Sequence, residues 1–106
     1  MSDEKIAFRM QLNPGMKDEY LRRHNAIWPE LAKALKEAGV RDYSIYFNSE
    51  TNTLFAVMWR RKDHELNALA KSEIMGEWWD HMADIMQTHS NNEPVVTPLE
   101  CVFHLK

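Results

Sequence analysis

With 106 residues and a net charge of −3, the chain has the length of one domain (1–106), which withdraws roughly 65% of its unfolded surface from water. Hydrophobic residues at 44% and charged residues at 27% set it apart from disordered chains, and thirteen Lys and Arg interleaved with sixteen Asp and Glu leave no basic stripe for nucleic acid. No apolar run is long enough to span a bilayer, Met1 to Lys5 form no apolar signal segment, and the lone Cys101 cannot close an internal disulfide; these features fit a cytoplasmic chain that does not bind membranes.

Ile6, Phe8, Met10 and Leu12 alternate with Ala7, Arg9 and Gln11, the period of a half-buried strand. Asn13-Pro14-Gly15 then predicts a sharp reversal, because Pro14 presets the backbone and Gly15 accepts positive φ. From about Met16 to Ala38, Tyr20, His24, Ile27, Trp28, Leu31, Leu35 and Ala38 fall within an arc of about 100° at helical spacing. Asp18, Glu19, Arg22, Arg23 and other charged residues occupy the opposite arc. Pro29 interrupts the pattern, and inside a helix it would cost about 3 kcal/mol, so a kink or restart is expected just after His24. Gly39 is a candidate C-cap.

Asp42 to Phe47 and Thr53 to Trp59 read as an antiparallel hairpin around Asn48 to Asn52. The second strand is apolar on both faces, so something must cover each side. A second helical region runs from Asp63 to about Met86, with a break near Ser72 and Leu66, Leu69, Ile74, Met75, Trp78, Met82 and Ile85 at helical spacing. Gln87 to Pro98 is a polar connection, and Leu99, Cys101, Phe103 and Leu105 alternate as a final strand. Cys101 is expected to be buried there.

The order strand, helix, strand, strand, helix, strand is that of an α+β, ferredoxin-like βαββαβ fold made of two split βαβ units. Both crossovers place their helices on one face of the sheet. A second copy packing sheet to sheet against the other face is the economical cover, so a homodimer is expected.

Tyr20 and His24 are neighbours on the helical face turned toward the sheet. A histidine there is either a core residue satisfied by a carbonyl and a tyrosine hydroxyl, or a general acid or base in a helix–sheet pocket. Trp78 lies in the apolar stripe of the second helix and Trp79 at its edge; Trp78 is of the kind that fills cores, while an indole at a stripe edge can line a cleft. Indole faces suit the C–H patches of a pyranose, whose hydroxyls would seek Tyr43, Tyr46 and the indole N–H groups. The five histidines show no zinc-ligand spacing, and three glycines make no phosphate loop, so neither a metal nor a nucleotide cofactor is expected.

The run Tyr20-Leu21-Arg22-Arg23-His24-Asn25-Ala26-Ile27-Trp28-Pro29-Glu30-Leu31 resembles the first-helix signature of the L-rhamnose mutarotase family. Asn13-Pro14, Tyr43-Ser44-Ile45-Tyr46 and Trp78-Trp79, followed by Met82 and Met86, match the same family in order. The resemblance implies a dimeric α+β barrel enzyme, an isomerase that interconverts the α and β anomers of L-rhamnose without a cofactor. It further implies that His24 is the proton donor and that Tyr20, Tyr43, Trp78 and Trp79 bind the sugar. The accompanying base could be Tyr20, a bound water or a carboxylate. Two other readings of this architecture are a cofactor-free or haem-dependent monooxygenase of the dimeric α+β barrel type and a non-catalytic sugar-binding module.

Overall fold

The computed structural model describes residues 3–106; Met1 and Ser2 of the charged leading segment lie outside the described residues. Strand β1 (Asp3–Gln11) carries the expected alternation, with Met10 and the following Leu12 buried while Arg9 is exposed. Gly15 turns the chain at φ +79, and helix α1 (Lys17–Asn25) begins two residues later. The helix does not continue through Pro29. Trp28 is extended at φ −63 and ψ 129, as a residue before proline prefers, and Pro29 opens a separate helix α2 (Pro29–Glu37). At that first position the missing N–H has no partner to lose, so the restart avoids the penalty of an interior proline.

Gly39, at φ +111, ends α2 and lets strand β2 (Val40–Asn48) start at once. A side chain at Gly39 would press on Arg61, whose Nε lies 3.3 Å from the position of a Cβ. Strand β3 (Thr53–Arg61) returns beside β2, with a bulge between Arg41 and Ser44 where Asp42 takes φ +49. The second helical region breaks at Ser72 into α3 (Leu66–Leu69) and α4 (Glu73–Met82), followed by a 3-10 turn over Ala83–Ile85. The Ser72 hydroxyl accepts from the Met75 N–H at 3.4 Å, capping α4.

The sheet order is β2-β3-β1-β4, with every pairing antiparallel, which is the ferredoxin-like α+β arrangement expected. Leu12, Leu31, Leu54, Ala56, Trp78 and Met82 belong to one core between the helices and one face of the sheet. The other face holds Phe55, Val57 and Trp59, each half-buried, and Tyr46, 66% exposed. Among the described residues no helix is long and apolar enough to cross a membrane.

The final strand is much shorter than expected. Strand β4 (Thr97–Leu99) pairs with Ala7, Phe8 and Arg9 of β1, and the chain leaves the sheet after Leu99. Pro98 brings no N–H to the ladder, and beyond it no surface among the described residues covers the apolar residues. Val102, Phe103 and Leu105 are 90%, 78% and 80% exposed. Cys101, expected in the interior, lies exposed on the same arm.

Candidate active site

The helical period of α1 turns Tyr20 and His24 toward the sheet, one turn apart. Tyr20 is buried and His24 half-buried, and their rings stack with centroids 4.2 Å apart and planes 26° off parallel. The His24 Nδ1 lies 3.1 Å from the Tyr20 carbonyl oxygen. Since a carbonyl only accepts, Nδ1 is the donor, and Nε2 is the nitrogen left for a ligand. Burial lowers the His24 pKa below its ordinary value, against a smaller opposing effect of this hydrogen bond.

Trp78, held in the core by α4, meets His24 edge-on at 5.4 Å between centroids. Trp28, the N-cap of α2, meets Trp78 edge-on from another side at 5.1 Å, so the indole behind the imidazole is fixed by two neighbours. Tyr20, His24 and Trp78 form one wall of a recess of about 740 Å³ between the helices and the sheet, lined mainly by apolar side chains, with Trp28 behind that wall. Tyr20, His24, Tyr43, Trp78 and Trp79 all line it. Trp79 is half-buried, as befits a residue at the edge of the apolar stripe.

Tyr43 reaches the recess from β2, its ring 6.5 Å from that of Phe8 on β1. Although 38% of the residue is exposed, burial of its hydroxyl pushes the phenol pKa up to about 12. The Tyr20 phenol is raised further, by burial first and by the nearby Tyr43 second. Both hydroxyls therefore stay protonated near neutrality and are able to donate hydrogen bonds.

Tyr46, one of the hydroxyls considered for the sugar, points to the opposite face of the sheet and does not line the recess. This follows from the two-residue period of β2, which turns Tyr43, Ile45 and Phe47 toward the helices once the bulge at Asp42 is passed. Sequence reasoning missed Glu93, Pro94 and Val96, which line the recess from the connection between α4 and β4. That segment shows no periodicity. Phe8 was legible as a core-facing position of β1 but not as part of a site. Among the described residues no group of His, Cys, Asp and Glu is arranged to hold a metal ion.

A ferredoxin-like α+β fold with an imidazole set in an aromatic helix–sheet recess defines a small-molecule-binding protein equipped for proton transfer. The family model described as L-rhamnose mutarotase matches residues 5–105. An L-rhamnose mutarotase from Sinorhizobium fredii is 57% identical over 102 residues, covering 96% of this chain and 98% of its own, and one from Rhizobium meliloti is 56% identical, with coverage of 97% and 99%. The crystal structure of an L-rhamnose mutarotase from Formosa agariphila superimposes with a TM-score of 0.90 at 50% identity, covering 97% of this chain and 99% of that one. A Pseudomonas aeruginosa protein of 14% identity and TM-score 0.60 shares the fold. The chain belongs to the L-rhamnose mutarotase family.

Proposed function

We propose that this chain is an isomerase that interconverts the α and β anomers of L-rhamnose, with His24 transferring the proton at the ring oxygen. Membership of the family supports the activity and the substrate. The observation that carries the residue assignment is the Nδ1 contact of His24 with the Tyr20 carbonyl, which leaves Nε2 for the sugar within the shared recess.

Mutarotation opens a hemiacetal and closes it on the other face of the carbonyl. The ring oxygen gains a proton as its bond to the anomeric carbon breaks, and the anomeric hydroxyl loses one. Rotation about the neighbouring carbon–carbon bond and reversal of both transfers gives the other anomer. Positioned acid and base groups suffice for such a reaction, each worth a factor of about 10² to 10⁴. Tyr20 and Tyr43 donate hydrogen bonds to sugar hydroxyls, Trp79 stacks on an apolar sugar face, and Trp78 backs the imidazole and closes the recess around the sugar methyl group. That methyl contributes about 1–3 kcal/mol of preference over a polar substituent.

The test is saturation transfer by NMR in equilibrated L-rhamnose: one anomeric proton is irradiated and the other observed. Transfer far above the buffer rate is expected. A protein that binds the sugar without accelerating transfer would be a sugar-binding module instead.

We further infer that two copies form a homodimer by packing their bare sheet faces together. The half-buried Phe55, Val57 and Trp59, the exposed Tyr46 and the uncovered arm after Leu99 support this reading. A cytoplasmic location is part of the same proposal, supported by the free thiol of Cys101, which suits a reducing compartment.

A further inference from the structure

The mutarotase reaction needs a group that takes the proton of the anomeric hydroxyl. Tyr20 is unsuited, because burial holds its phenol protonated. Two acidic residues line the recess among the described residues, Asp42 and Glu93. Asp42 is exposed on the edge strand, at the bulge beside Arg41.

Glu93 is half-buried on a tightly built turn. Its carbonyl accepts from the His89 N–H at 2.8 Å, and its own N–H donates to the Asn91 Oδ1 at 3.1 Å. The neighbouring Asn92, at φ +70, donates from Nδ2 to the Asp80 Oδ1 at 2.9 Å, which hooks the turn onto α4 one residue past Trp79. Pro94 then pairs with Thr88. The backbone of Glu93 is thus anchored to the helix that carries both indoles. Among the described residues its carboxylate takes no hydrogen bond and joins no ion pair, and Glu93 is one of the residues that line a mostly apolar recess. A half-buried acceptor of this kind favours a ligand that brings hydroxyl donors.

We propose that Glu93 is the general base of the reaction, acting on the anomeric hydroxyl while His24 serves the ring oxygen; this rests on the mutarotase reading above. On opening, the anomeric O–H proton passes to a Glu93 carboxylate oxygen, and that O–H electron pair becomes the second bond of the aldehyde. The electron pair of the bond between the anomeric carbon and the ring oxygen stays on the ring oxygen, which takes the proton from the His24 Nε2. The products are an open-chain aldehyde with a new hydroxyl, a neutral imidazole and a carboxylic acid. Closing returns both protons. The imidazolium, which burial makes the minor form of His24 near neutrality, and the carboxylate become two neutral groups, so ring opening builds no net charge in the apolar recess.

The experiment is saturation transfer with Glu93→Gln and Glu93→Ala beside the unsubstituted protein and His24→Ala. Glu93→Gln is expected to lower kcat by about 10²-fold or more with KM little changed. Formate or acetate is expected to restore part of the exchange to Glu93→Ala, because a small carboxylate can occupy the vacated space; a purely structural role would give no such recovery. Exchange by Glu93→Gln within about twofold of the unsubstituted protein would overturn the proposal, as would the absence of carboxylate rescue. If the unsubstituted protein itself fails to exchange the anomers, the mutarotase reading falls; normal exchange by Glu93→Gln beside an inactive His24→Ala removes Glu93 alone.

Discussion

The imidazole of His24 lies flat on the ring of Tyr20, one helical turn earlier, and is tied by Nδ1 to that residue's own carbonyl at 3.1 Å. One residue therefore supplies both the surface that orients the imidazole and the acceptor that selects its tautomer. Replacing His24 by Ala should cut anomer exchange by about 10² to 10⁴ while the far-UV circular dichroism stays unchanged. Full exchange by that variant would remove His24 from the reaction.

Burial also gives His24 a pH signature. Its folded pKa is depressed below the ordinary value of 6.5, so between 6.5 and the folded value the unfolded chain holds a proton that the native imidazole does not. The contribution of this site to stability is accordingly full above pH 6.5 and declines as the pH falls through that window. Urea unfolding at pH 7.5 and pH 5.5 should show a smaller loss on acidification for His24→Gln than for the unsubstituted protein. The His24 ring resonances should titrate below 6.5; a midpoint above it would contradict the burial.

The two adjacent tryptophans should separate cleanly. Trp78 is 7% exposed and belongs to the core, so Trp78→Ala should destabilise the fold by about 3–5 kcal/mol, read as a lower urea midpoint. Trp79 lines the recess from the edge of the stripe, so Trp79→Ala should raise KM for L-rhamnose by about tenfold, equivalent to about 1.4 kcal/mol, with less effect on kcat. Equal loss of stability from both substitutions would show that the stripe edge is as much core as its centre.

What was legible in the sequence is what local chemistry decides. Pro29 and Ser72 mark the helix restarts because a missing N–H and a capping hydroxyl act within one turn. His24 and Tyr20 share a face because 3.6 residues make a turn. The Glu93 turn was not legible, since its order depends on partners distant in sequence: the Gln87 N–H on the Gln11 carbonyl and the Asn92 amide on Asp80. The alternation after Leu99 announced an extended segment, yet alternation cannot name the neighbour that pairs with it, and among the described residues none does.

An acid-sensitive contact lies on the outer face of α1. Glu19 accepts from Arg22 and from Arg23, which hold its pKa down from 4.5 to about 2. Arg23 also donates to Asp84 and to the His81 carbonyl, joining α1 to the end of α4 and the 3-10 turn. A depressed carboxylate contributes stability that is whole above pH 4.5 and is lost as the pH falls toward 2. Glu19→Gln should therefore be less stable than the unsubstituted protein at neutral pH and should lose less on acidification. Because Glu19 is half-buried and its side chain remains open to solvent, salt should narrow the difference between the two; no narrowing in 1 M NaCl, where the Debye length is about 3 Å, would argue against an ionic origin.

The arm after Leu99 tests the proposed dimer. An isolated chain gains nothing by presenting Val102, Phe103 and Leu105 to water on a segment with no ladder partner, because each apolar side chain left exposed forgoes about 1.5–3 kcal/mol of burial. A second copy removes that loss if the arm lies against its bare sheet face or free edge. Light scattering should then give twice the chain mass of 12.5 kDa, and Phe103→Asp or removal of residues 100–106 should shift the population toward monomer. Tyr46→Asp, on the exposed face of β2, should do the same from the other side of the contact. A monomer for the unsubstituted protein at micromolar concentration would leave the arm without a partner and end the dimer proposal, while the recess, built from residues of one chain, would keep its assignment.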